Sequence, residues 1–249
     1  MDHRFSIIVP AYNEEHYIGR CLDSLNKQDY KGFMEVIVVN NASTDKTHEI
    51  AEGYGVRVID ETKKGISYAL IRGCKEARGD IFVFTDADTF LPPEWISEIN
   101  RKFTDDPDLS AIGGPYLFYD VDVAVNFFVR KFVFRIYEKV ASHILPCVNM
   151  AVRREIYDRA GGFNPDINWG QDIDLSKRLN NHGKVKFDRE VTVITSFRRY
   201  SGGYEAKPMA MAHAVKELCV QLTRCYLVTK KGKVYSKTQK EIRAGDQKI

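Results

Sequence analysis

The sequence lacks the signatures of several protein classes. Its five cysteines are dispersed, without a CxxC pair or a His at ligand spacing, so neither a zinc site nor a disulfide framework is indicated. No stretch approaches the ~20 uncharged apolar residues of a membrane span. Only four residues precede the first apolar run, which is too few for a signal peptide. We therefore expect a protein of the reducing cytoplasm with no membrane-spanning segment.

Two nucleotide-binding motifs are also missing. The sequence contains neither GxGxxG nor GxxxxGK[ST], which removes the main support for a dinucleotide-binding fold and for a P-loop nucleoside triphosphatase. The formal net charge of +3 at pH 7 is too small for a protein whose main partner is nucleic acid. The charge is uneven, because Thr229–Ile249 has seven Lys or Arg residues against Glu241 and Asp246, a net charge of +5. A near-neutral body thus precedes a basic tail.

Continuous apolar runs alternate with amphipathic segments in the first ninety residues. The apolar runs are Phe5–Val9, Met34–Val39, Val56–Ile59 and Ile81–Phe84. The segments with apolar residues at helical spacing are Glu14–Lys27, Asp45–Tyr54 and Ile66–Ala77. Runs without polar alternation are typical of parallel strands that are buried on both faces. The pattern predicts an α/β fold with a doubly wound, mostly parallel sheet and helices on both faces.

After Pro93 the regular alternation of apolar runs and amphipathic segments ends. The remaining predicted elements are helices at Trp95–Phe103, Val123–Ile144 and Asp172–Asn180, strands at Leu109–Gly113 and Val191–Ile194, and a terminal helix that begins at Pro208.

The predicted helix at Val123–Ile144 has an unusual surface. Projected at about 100° per residue, Val129, Phe132 and Ile136 share one side with other apolar residues. The opposite side is basic and contains Arg130, Lys131, Arg135 and Lys139. Aromatic residues beside cations suit an anionic membrane surface, which the basic tail also favours. The alternative is that the helix packs against the sheet or forms a dimer contact, and the sequence leaves both interpretations open.

Ligands of doubly wound sheets bind in the loops that follow the strands, here Pro10–Glu15, Asn40–Asp45 and Thr85–Leu91. In the third loop, Asp86 and Asp88 follow a predicted strand directly, and their spacing directs both carboxylates to the same side. Two carboxylates together with substrate phosphates suit Mg²⁺ or Mn²⁺. The alternative is a solvated strand end whose aspartates cap the next helix. The motif alone does not decide between them.

Six motifs occur in a fixed order along the chain. They are VPAYNEE at Val9–Glu15, VVNNASTD at Val38–Asp45, the segment from Gly65 through Ala77–Asp80, FTDADTFLPPEW at Phe84–Trp95, GGF at Gly161–Phe163 and GQDIDLSKRL at Gly170–Leu179. In order and spacing, over about residues 5–200, the chain resembles a family-2 glycosyltransferase. The resemblance implies a GT-A fold and an inverting, nucleotide-sugar-dependent glycosyltransferase.

The same resemblance implies a domain organisation and a set of partners. One GT-A catalytic domain would span 1–205, with a nucleotide-sugar-binding half at 1–90 and an acceptor half at 91–205, and a C-terminal helix and the basic tail would follow at 206–249. The donor would be a nucleotide-diphosphate sugar of the UDP or GDP type, and the acceptor a glycan or a lipid-linked glycan. The expected location is the cytoplasm or the cytoplasmic face of a membrane.

Carried over residue by residue, the resemblance assigns roles at the donor site and in catalysis. The implied donor-site residues are Pro10, Ala11, Tyr12, Glu14, Asn40, Asn41, Gly65, Asp86, Ala87, Asp88, Arg198 and Arg199. Asp86 and Asp88 would hold Mn²⁺ or Mg²⁺. Tyr12 would stack on the base, an interaction worth roughly 1–3 kcal/mol. Asp172 matches the family's general base, which takes the proton from the attacking hydroxyl.

Several positions depart from the family's pattern. Asn40 stands where Asp is usual, so the preferred base is open. Gln171 replaces the usual Glu before the general base, and together with Trp169 it is expected to contact the acceptor. The usual His after the general base is missing, and Arg198 and Arg199 are expected to hold the diphosphate instead. The alternative for this arginine pair is a solvated strand end.

Three other functions compete with this one. A polyprenyl-phosphate glycosyl synthase would need no base, because its acceptor is already anionic, so Asp172 disfavours it. A nucleotidyltransferase would need a triphosphate loop rich in Gly, Lys and Arg, and PAYNEE has the wrong chemistry for such a loop. A nucleotide-sugar-binding protein without turnover stays open because of the departures at Asn40 and Gln171.

Overall fold

The computed structural model describes residues 2–141, 143–167 and 170–198. The strands are β1 (Phe5–Ala11), β2 (Met34–Asn40), β3 (Arg57–Asp60), β4 (Ile81–Phe84), β5 (Leu109–Gly113), β6 (Tyr116–Phe118), β7 (Met150–Arg153), β8 (Lys184–Phe187) and β9 (Val193–Thr195). The helices are α1 (Ile18–Asn26), α2 (Thr47–Gly53), α3 (Ile66–Glu76), α4 (Trp95–Asp105), α5 (Val123–Phe128), α6 (Phe134–Ala141), α7 (Arg154–Arg159) and α8 (Gln171–Asn180). A π-helical turn at Val129–Val133 joins α5 to α6, and a 3₁₀ turn covers Cys147–Asn149.

Seven strands form one sheet in the order β3-β2-β1-β4-β7-β5-β8. β1 pairs in parallel with β2 and β4, and β2 pairs in parallel with β3, so the carboxyl ends of these four strands lie at one edge. β7 runs antiparallel between β4 and β5, and β5 pairs in parallel with β8. A separate parallel pair joins β6 to β9. The prediction of a mostly parallel α/β sheet is confirmed.

Helices cover both faces of the sheet. On one face, Leu22 of α1 and Ile99 of α4 belong to the same buried cluster as Ile7 of β1. On the other face, Leu70 of α3 belongs to a cluster with Ile8 of β1. Each of these side chains is at most 1% exposed, and burying a side chain of this size contributes about 1.5–3 kcal/mol. Because successive strand residues point to opposite faces, β1 is central to both cores.

The sequence pattern does not predict β6, β7, α7 or β8. Each of these elements has between three and six residues, which is too short to show a periodicity. The predicted terminal helix from Pro208 and the tail at 206–249 lie outside the described residues, and the division of the chain at residues 90 and 205 stays a prediction. Within the described part of the chain, no helix combines the length and the apolar character needed to cross a bilayer.

The helix at 123–141, made of α5, the π turn and α6, differs from its sequence projection. The projection places Phe132 and Ile136 on the same side as Val129, yet Val129 is buried whereas the side chains of Phe132 and Ile136 are 48% and 51% exposed. Phe134, which the projection places among the charges, is 4% exposed. The cause is the π turn at Val129–Val133, because it takes more residues than an α turn and so rotates every later side chain about the helix axis. The predicted grouping of Phe132 and Ile136 with Val129 on one side of the helix is therefore wrong.

A buried ion pair links α4 to the segment after β8. The Asp188 carboxylate lies 2.8 Å from Lys102 Nζ and 2.9 Å from Lys186 Nζ, and its side chain is 8% exposed. Burial alone would raise the pKa of Asp188, but the hydrogen bonds from both lysines and from the Glu190 amide hold it at about 2. The ionised form of Asp188 therefore stabilises the fold.

We expect Asp188→Asn to lower the free energy of unfolding at pH 7 by about 2 kcal/mol. Because the pKa of Asp188 is lower in the folded protein, its contribution is complete above pH ~4 and is lost as the pH falls through about 2. Urea unfolding at pH 7 and pH 3 should show a smaller loss of stability for the variant than for the wild type. Asp105→Asn, at an exposed ion pair with Arg101, is the matched control and should change stability by less than about 1 kcal/mol. Equal effects of the two substitutions would contradict the assignment.

Candidate functional site

A cavity of about 780 Å³ opens at the carboxyl edge of the parallel strands. Nine of the residues predicted for the donor site line it, namely Pro10, Ala11, Tyr12, Glu14, Asn41, Gly65, Asp86, Ala87 and Asp88. They come from the end of β1 and from the loops after β1, β2, β3 and β4, which parallel pairing brings to the same edge. The structure thus brings together residues from four separate segments around one space.

The loop after β3 supplies wall residues that the sequence reasoning misses. Lys63, Lys64 and Tyr68 line the cavity. Lys64 Nζ lies 3.2 Å from Tyr12 Oη and 4.9 Å from the centre of the Tyr12 ring, and Lys63 Nζ lies 4.0 Å from the centre of the Tyr68 ring. The signal that would find them is the strand-end rule itself, since this loop follows a parallel strand as the other three loops do.

Asn41 holds the loop after β3 in place. Its Nδ2 atom donates to the carbonyl oxygens of Glu61 at 3.1 Å and Lys63 at 2.8 Å, and its Oδ1 atom accepts from the Gly65 amide at 2.8 Å. Gly65 has φ 140°, a conformation that side chains other than glycine rarely adopt. Asn41 is 5% exposed, and its side-chain amide forms all three of these hydrogen bonds within the protein. Asn41 therefore shapes the cavity wall.

Asn40, which is predicted for the donor site, and Asp45 are not among the residues that line the cavity. Asn40 is 7% exposed, and its Nδ2 atom donates to Asp60 Oδ1 at 2.8 Å. The Asn40 amide is thus already bonded to a carboxylate of the protein, and its predicted contact with a nucleotide base stays a prediction. Asp45 accepts hydrogen bonds from the Thr47 amide at 3.0 Å and from the Glu15 amide at 3.0 Å, which joins the first two loops. These contacts give Asp45 the structural role that its place before α2 suggests.

Arg198 lies between two acidic residues of the cavity. Its Nη2 atom is 2.5 Å from both carboxylate oxygens of Glu14, and its Nε atom donates to Asp88 Oδ2 at 2.8 Å. Thr195 Oγ1 donates to the other oxygen of Asp88 at 3.2 Å. Burial alone would lower the pKa of Arg198, but the hydrogen bonds to Glu14 and the charge of Asp88 raise it. Arg198 is therefore a permanent cation between Glu14 and Asp88.

A second cavity of about 110 Å³ adjoins the first. Asp86, Asp88 and Ile66 line both cavities, whereas Gln171 and Asp172 line only the smaller one. The rest of its wall, which the sequence does not predict, consists of Tyr116, Pro146, Cys147, Val148, Thr195 and Ser196. The predicted base therefore lies on the same side of the molecule as the paired aspartates, across a shared wall.

Asp172 lies in the first turn of α8, which begins after a left-handed residue. Gly170 has φ 76° and ψ 24°, a conformation that strains any L side chain. Burial raises the pKa of Asp172, the hydrogen bonds from the Ile173 and Cys147 amides oppose this rise, and the charge of Asp86 adds to it. A carboxylate with a raised pKa binds a proton more strongly, which suits a general base.

Trp169 and Arg199, which are predicted for the acceptor and donor sites, lie outside the residues that the structure describes. Asp174, two residues after Asp172, forms an ion pair with Arg178 on the same helix, in agreement with a structural role for this carboxylate.

A mostly parallel sheet with a large cavity at its carboxyl edge is the general arrangement of α/β proteins that bind ligands at the ends of their strands. The model of the family described as "Glycosyl transferase family 2" matches residues 6–161, which is more than half of the chain. The chain belongs to glycosyl transferase family 2.

Individual relatives agree with this membership. Glycosyltransferase GlyA of Streptococcus pneumoniae is 28% identical over 161 residues, which cover 63% of this chain and 23% of GlyA. The dolichol-phosphate mannosyltransferase of Pyrococcus furiosus is 40% identical over 123 residues, which cover 46% of this chain and 34% of that enzyme. The chain thus spans about a quarter to a third of the length of these curated relatives.

A solved structure shows the same fold. The mannosyltransferase PcManGT from Pyrobaculum calidifontis, in complex with GDP-Man and Mn²⁺, superimposes with a TM-score of 0.65 at 22% identity. The superposition covers 100% of this chain and 81% of PcManGT. The expectation of a GT-A fold is confirmed.

We expect Asn41→Asp to lower the free energy of unfolding by about 3 kcal/mol, because a carboxylate would face the Glu61 and Lys63 carbonyl oxygens without a proton to donate. Urea unfolding followed by circular dichroism measures this change. Asn13→Asp is the matched control, since Asn13 Oδ1 accepts from the Thr44 amide at 2.8 Å and Asp preserves that acceptor. The control should stay within about 0.5 kcal/mol of the wild type. If the two variants are equally stable, Asn41 does not hold the loop.

Proposed function

We propose that the protein transfers a sugar from a nucleotide-diphosphate sugar to a hydroxyl group, with inversion at the sugar carbon. The observation that carries the proposal is that Asp86 and Asp88 line both the cavity of about 780 Å³ and the cavity of about 110 Å³ that contains Asp172. Direct displacement needs a leaving group and a base on opposite sides of the reacting carbon, with both held in place. Membership of glycosyl transferase family 2 supports this reaction class.

The larger cavity supports a nucleotide-sugar donor. Its volume of about 780 Å³ falls within the range of about 300–1,000 Å³ that is typical of small-molecule sites. The Tyr12 side chain is 47% exposed and offers a stacking face for a base. Lys63 and Lys64 bring positive charge to the same wall, where it suits a diphosphate. We infer a donor of the UDP or GDP type, and the relative PcManGT was solved with GDP-Man.

Asp88, together with Asp86, is the proposed binding place for Mn²⁺ or Mg²⁺. The residues that the structure describes include no cluster of three or more His, Cys, Asp or Glu side chains that would hold a metal ion without help. Two carboxylates suit either ion when substrate phosphates complete the coordination. Arg198 Nε donates to Asp88 Oδ2 at 2.8 Å, so a metal ion would compete with this cation for the Asp88 carboxylate and would bind as that contact is released. A bound metal would neutralise charge on the departing diphosphate.

Asp172 is the proposed general base, and Gln171 beside it is the proposed acceptor contact. Both line the smaller cavity, and the raised pKa of Asp172 favours proton uptake from an attacking hydroxyl. No covalent intermediate is needed. Arg198 is the proposed diphosphate contact, because a guanidinium group matches phosphate oxygens, and it would exchange its hydrogen bonds to Glu14 or Asp88 for bonds to the phosphate. The roles predicted for Trp169 and Arg199 stay predictions.

A second candidate is a polyprenyl-phosphate glycosyl synthase. The dolichol-phosphate mannosyltransferase of Pyrococcus furiosus, which is 40% identical over 123 residues, supports it. A phosphate acceptor is already ionised and needs no base, so Asp172 would then be dispensable. The replacement of Asp172 therefore separates the two candidates when transfer to a polyprenyl phosphate is measured beside donor hydrolysis, because transfer to that acceptor would survive the replacement. A nucleotide-sugar-binding protein without turnover would bind the donor and convert none of it.

We expect one nucleoside diphosphate, in the presence of Mn²⁺, to raise the melting temperature by roughly 5–10 °C at about 100 times its Kd, because it binds only the folded protein. A thermal-shift panel of UDP, GDP, ADP and CDP with and without Mn²⁺ measures this effect and names the base. Asp88→Asn is expected to remove the part of the shift that depends on Mn²⁺. A panel without any shift would count against the proposed donor.

We expect Asp172→Asn to lower Mn²⁺-dependent donor hydrolysis by about 10²–10⁴-fold, since the variant has no group to take a proton. In the wild type, activity should fall as Asp172 is protonated, at a pH above the ordinary range of Asp because burial raises its pKa. The pH profile of turnover at saturating donor measures both effects.

Asp174→Asn is the matched control for Asp172→Asn. It removes a carboxylate of the same helix turn that pairs with Arg178, and it should change turnover little. The thermal shift with nucleoside diphosphate should be kept in both variants, which shows that they fold. Turnover that is unaffected by Asp172→Asn would reject the assignment of the base.

A further inference from the structure

The outer face of the helix at 123–141 exposes large apolar side chains. They are Val123, Phe127, Phe128, Phe132 and Ile136, with exposed fractions between 39% and 85%. The rings of Phe128 and Phe132 lie with their centres 5.2 Å apart, and Ile136 follows four residues later. The π turn at Val129–Val133 places Phe132 and Ile136 on the outside with the residues of α5, while Val129 and Val133 stay in the core. A contiguous apolar patch on a protein surface marks an interaction site.

Cations are interleaved with these apolar side chains. The exposed basic residues of the helix are Arg130, Lys131, Arg135 and Lys139. Lys131 Nζ lies 5.2 Å from the centre of the Phe127 ring, so at least one cation and one ring are direct neighbours. The sequence of the helix contains a single acidic residue, Glu138, which forms an ion pair with Arg189. The outer face therefore has an excess of positive charge.

This combination of groups fits an anionic lipid surface better than a second copy of the chain. Aromatic rings insert at the level of the lipid headgroups, while Lys and Arg side chains extend to the phosphates. A two-fold contact between copies would place this basic patch against itself and bring like charges together. Charge complementarity thus selects negatively charged lipid as the partner.

The inner face of the same helix forms part of the smaller cavity's surroundings. The Phe134 ring packs edge to face on Tyr116, with ring centres 5.6 Å apart, and Tyr116 lines the cavity that contains Asp172. Near the end of the helix, Tyr137 Oη donates to the Ile144 carbonyl oxygen at 2.7 Å, and the same chain segment continues to Pro146 on the cavity wall. One helix therefore connects the apolar, basic patch with the proposed acceptor side of the site.

We propose that the outer face of the helix at 123–141 docks the protein on an anionic membrane surface and holds the smaller cavity beside the lipid headgroups. An acceptor presented from the membrane, such as a lipid-linked glycan, would then reach Asp172 without leaving the surface. This second part rests on the proposed function, whereas the docking itself rests only on the helix.

Flotation of the full chain with lipid vesicles tests the docking. We expect binding to phosphatidylcholine vesicles that contain about 30% phosphatidylglycerol and little binding to pure phosphatidylcholine. The first variant removes the apolar groups through Phe128→Gln, Phe132→Gln and Ile136→Gln. The second removes charge through Arg130→Gln, Lys131→Gln and Arg135→Gln. Each should lower the partition coefficient at least roughly tenfold, and the loss in the second should shrink as salt rises.

A matched control separates the helix from general charge. It replaces three exposed lysines outside this helix, through Lys27→Gln, Lys31→Gln and Lys75→Gln. The control should bind anionic vesicles within about twofold of the wild type. Every variant keeps the basic tail, so a loss of binding reports on the helix, and circular dichroism checks the fold of each variant.

The outcomes decide the proposal in either direction. Wild-type protein that does not float with anionic vesicles, or helix variants that float as well as the control, would overturn it. If the helix variants bind vesicles as the wild type does but have a lower molecular mass by light scattering, the proposal is also overturned, and the helix is a contact between copies of the chain. Donor hydrolysis without vesicles should be equal in the wild type and both helix variants. Absence of hydrolysis from the wild type would count against the proposed function and leave the vesicle result unaffected.

Discussion

Parallel pairing of β1 with β2 and β4 is the constraint on which the site depends. It brings the loops after these strands, and the loop after β3, to one edge of the sheet, where their polar side chains meet. Burial on both faces holds β1 in the centre of the sheet, because Ile7 and Ile8 pack into different cores. The apolar residues therefore position Asp86 and Asp88 even though they take no part in the chemistry.

Much of this arrangement is readable from the sequence because it is local. Apolar runs without polar alternation predict the four parallel strands, and a strand-end rule then places Tyr12, Asn41 and Asp88 near one another. The carboxyl edge of the sheet also accounts for Lys63 and Lys64, although the rule has to be applied to every parallel strand before it finds them. What the residues bind is a separate matter, which the family motifs address and the strand pattern does not.

The unpredicted features depend on contacts between distant residues or on a change in helix geometry. Arg198 pairs with Glu14 across 184 positions of the chain, and no spacing rule reaches that far. The antiparallel strand β7 is four residues long, and its place between β4 and β5 follows from the sheet as a whole. A constant angle per residue describes the helix at 123–141 only up to its π turn, so Phe132 and Phe134 exchange the sides that a regular helix would give them.

The way Asn41 is bonded separates the shape of the cavity from its chemistry. Asn41 forms hydrogen bonds with main-chain atoms of Glu61, Lys63 and Gly65 in the neighbouring loop. The side chains at positions 63 and 64 take no part in these hydrogen bonds. Substitution of Lys63 or Lys64 would alter the charge of the cavity wall, while the backbone of the loop would keep its conformation. Related proteins can thus change which ligands the cavity binds through one or two substitutions, without a change in the fold.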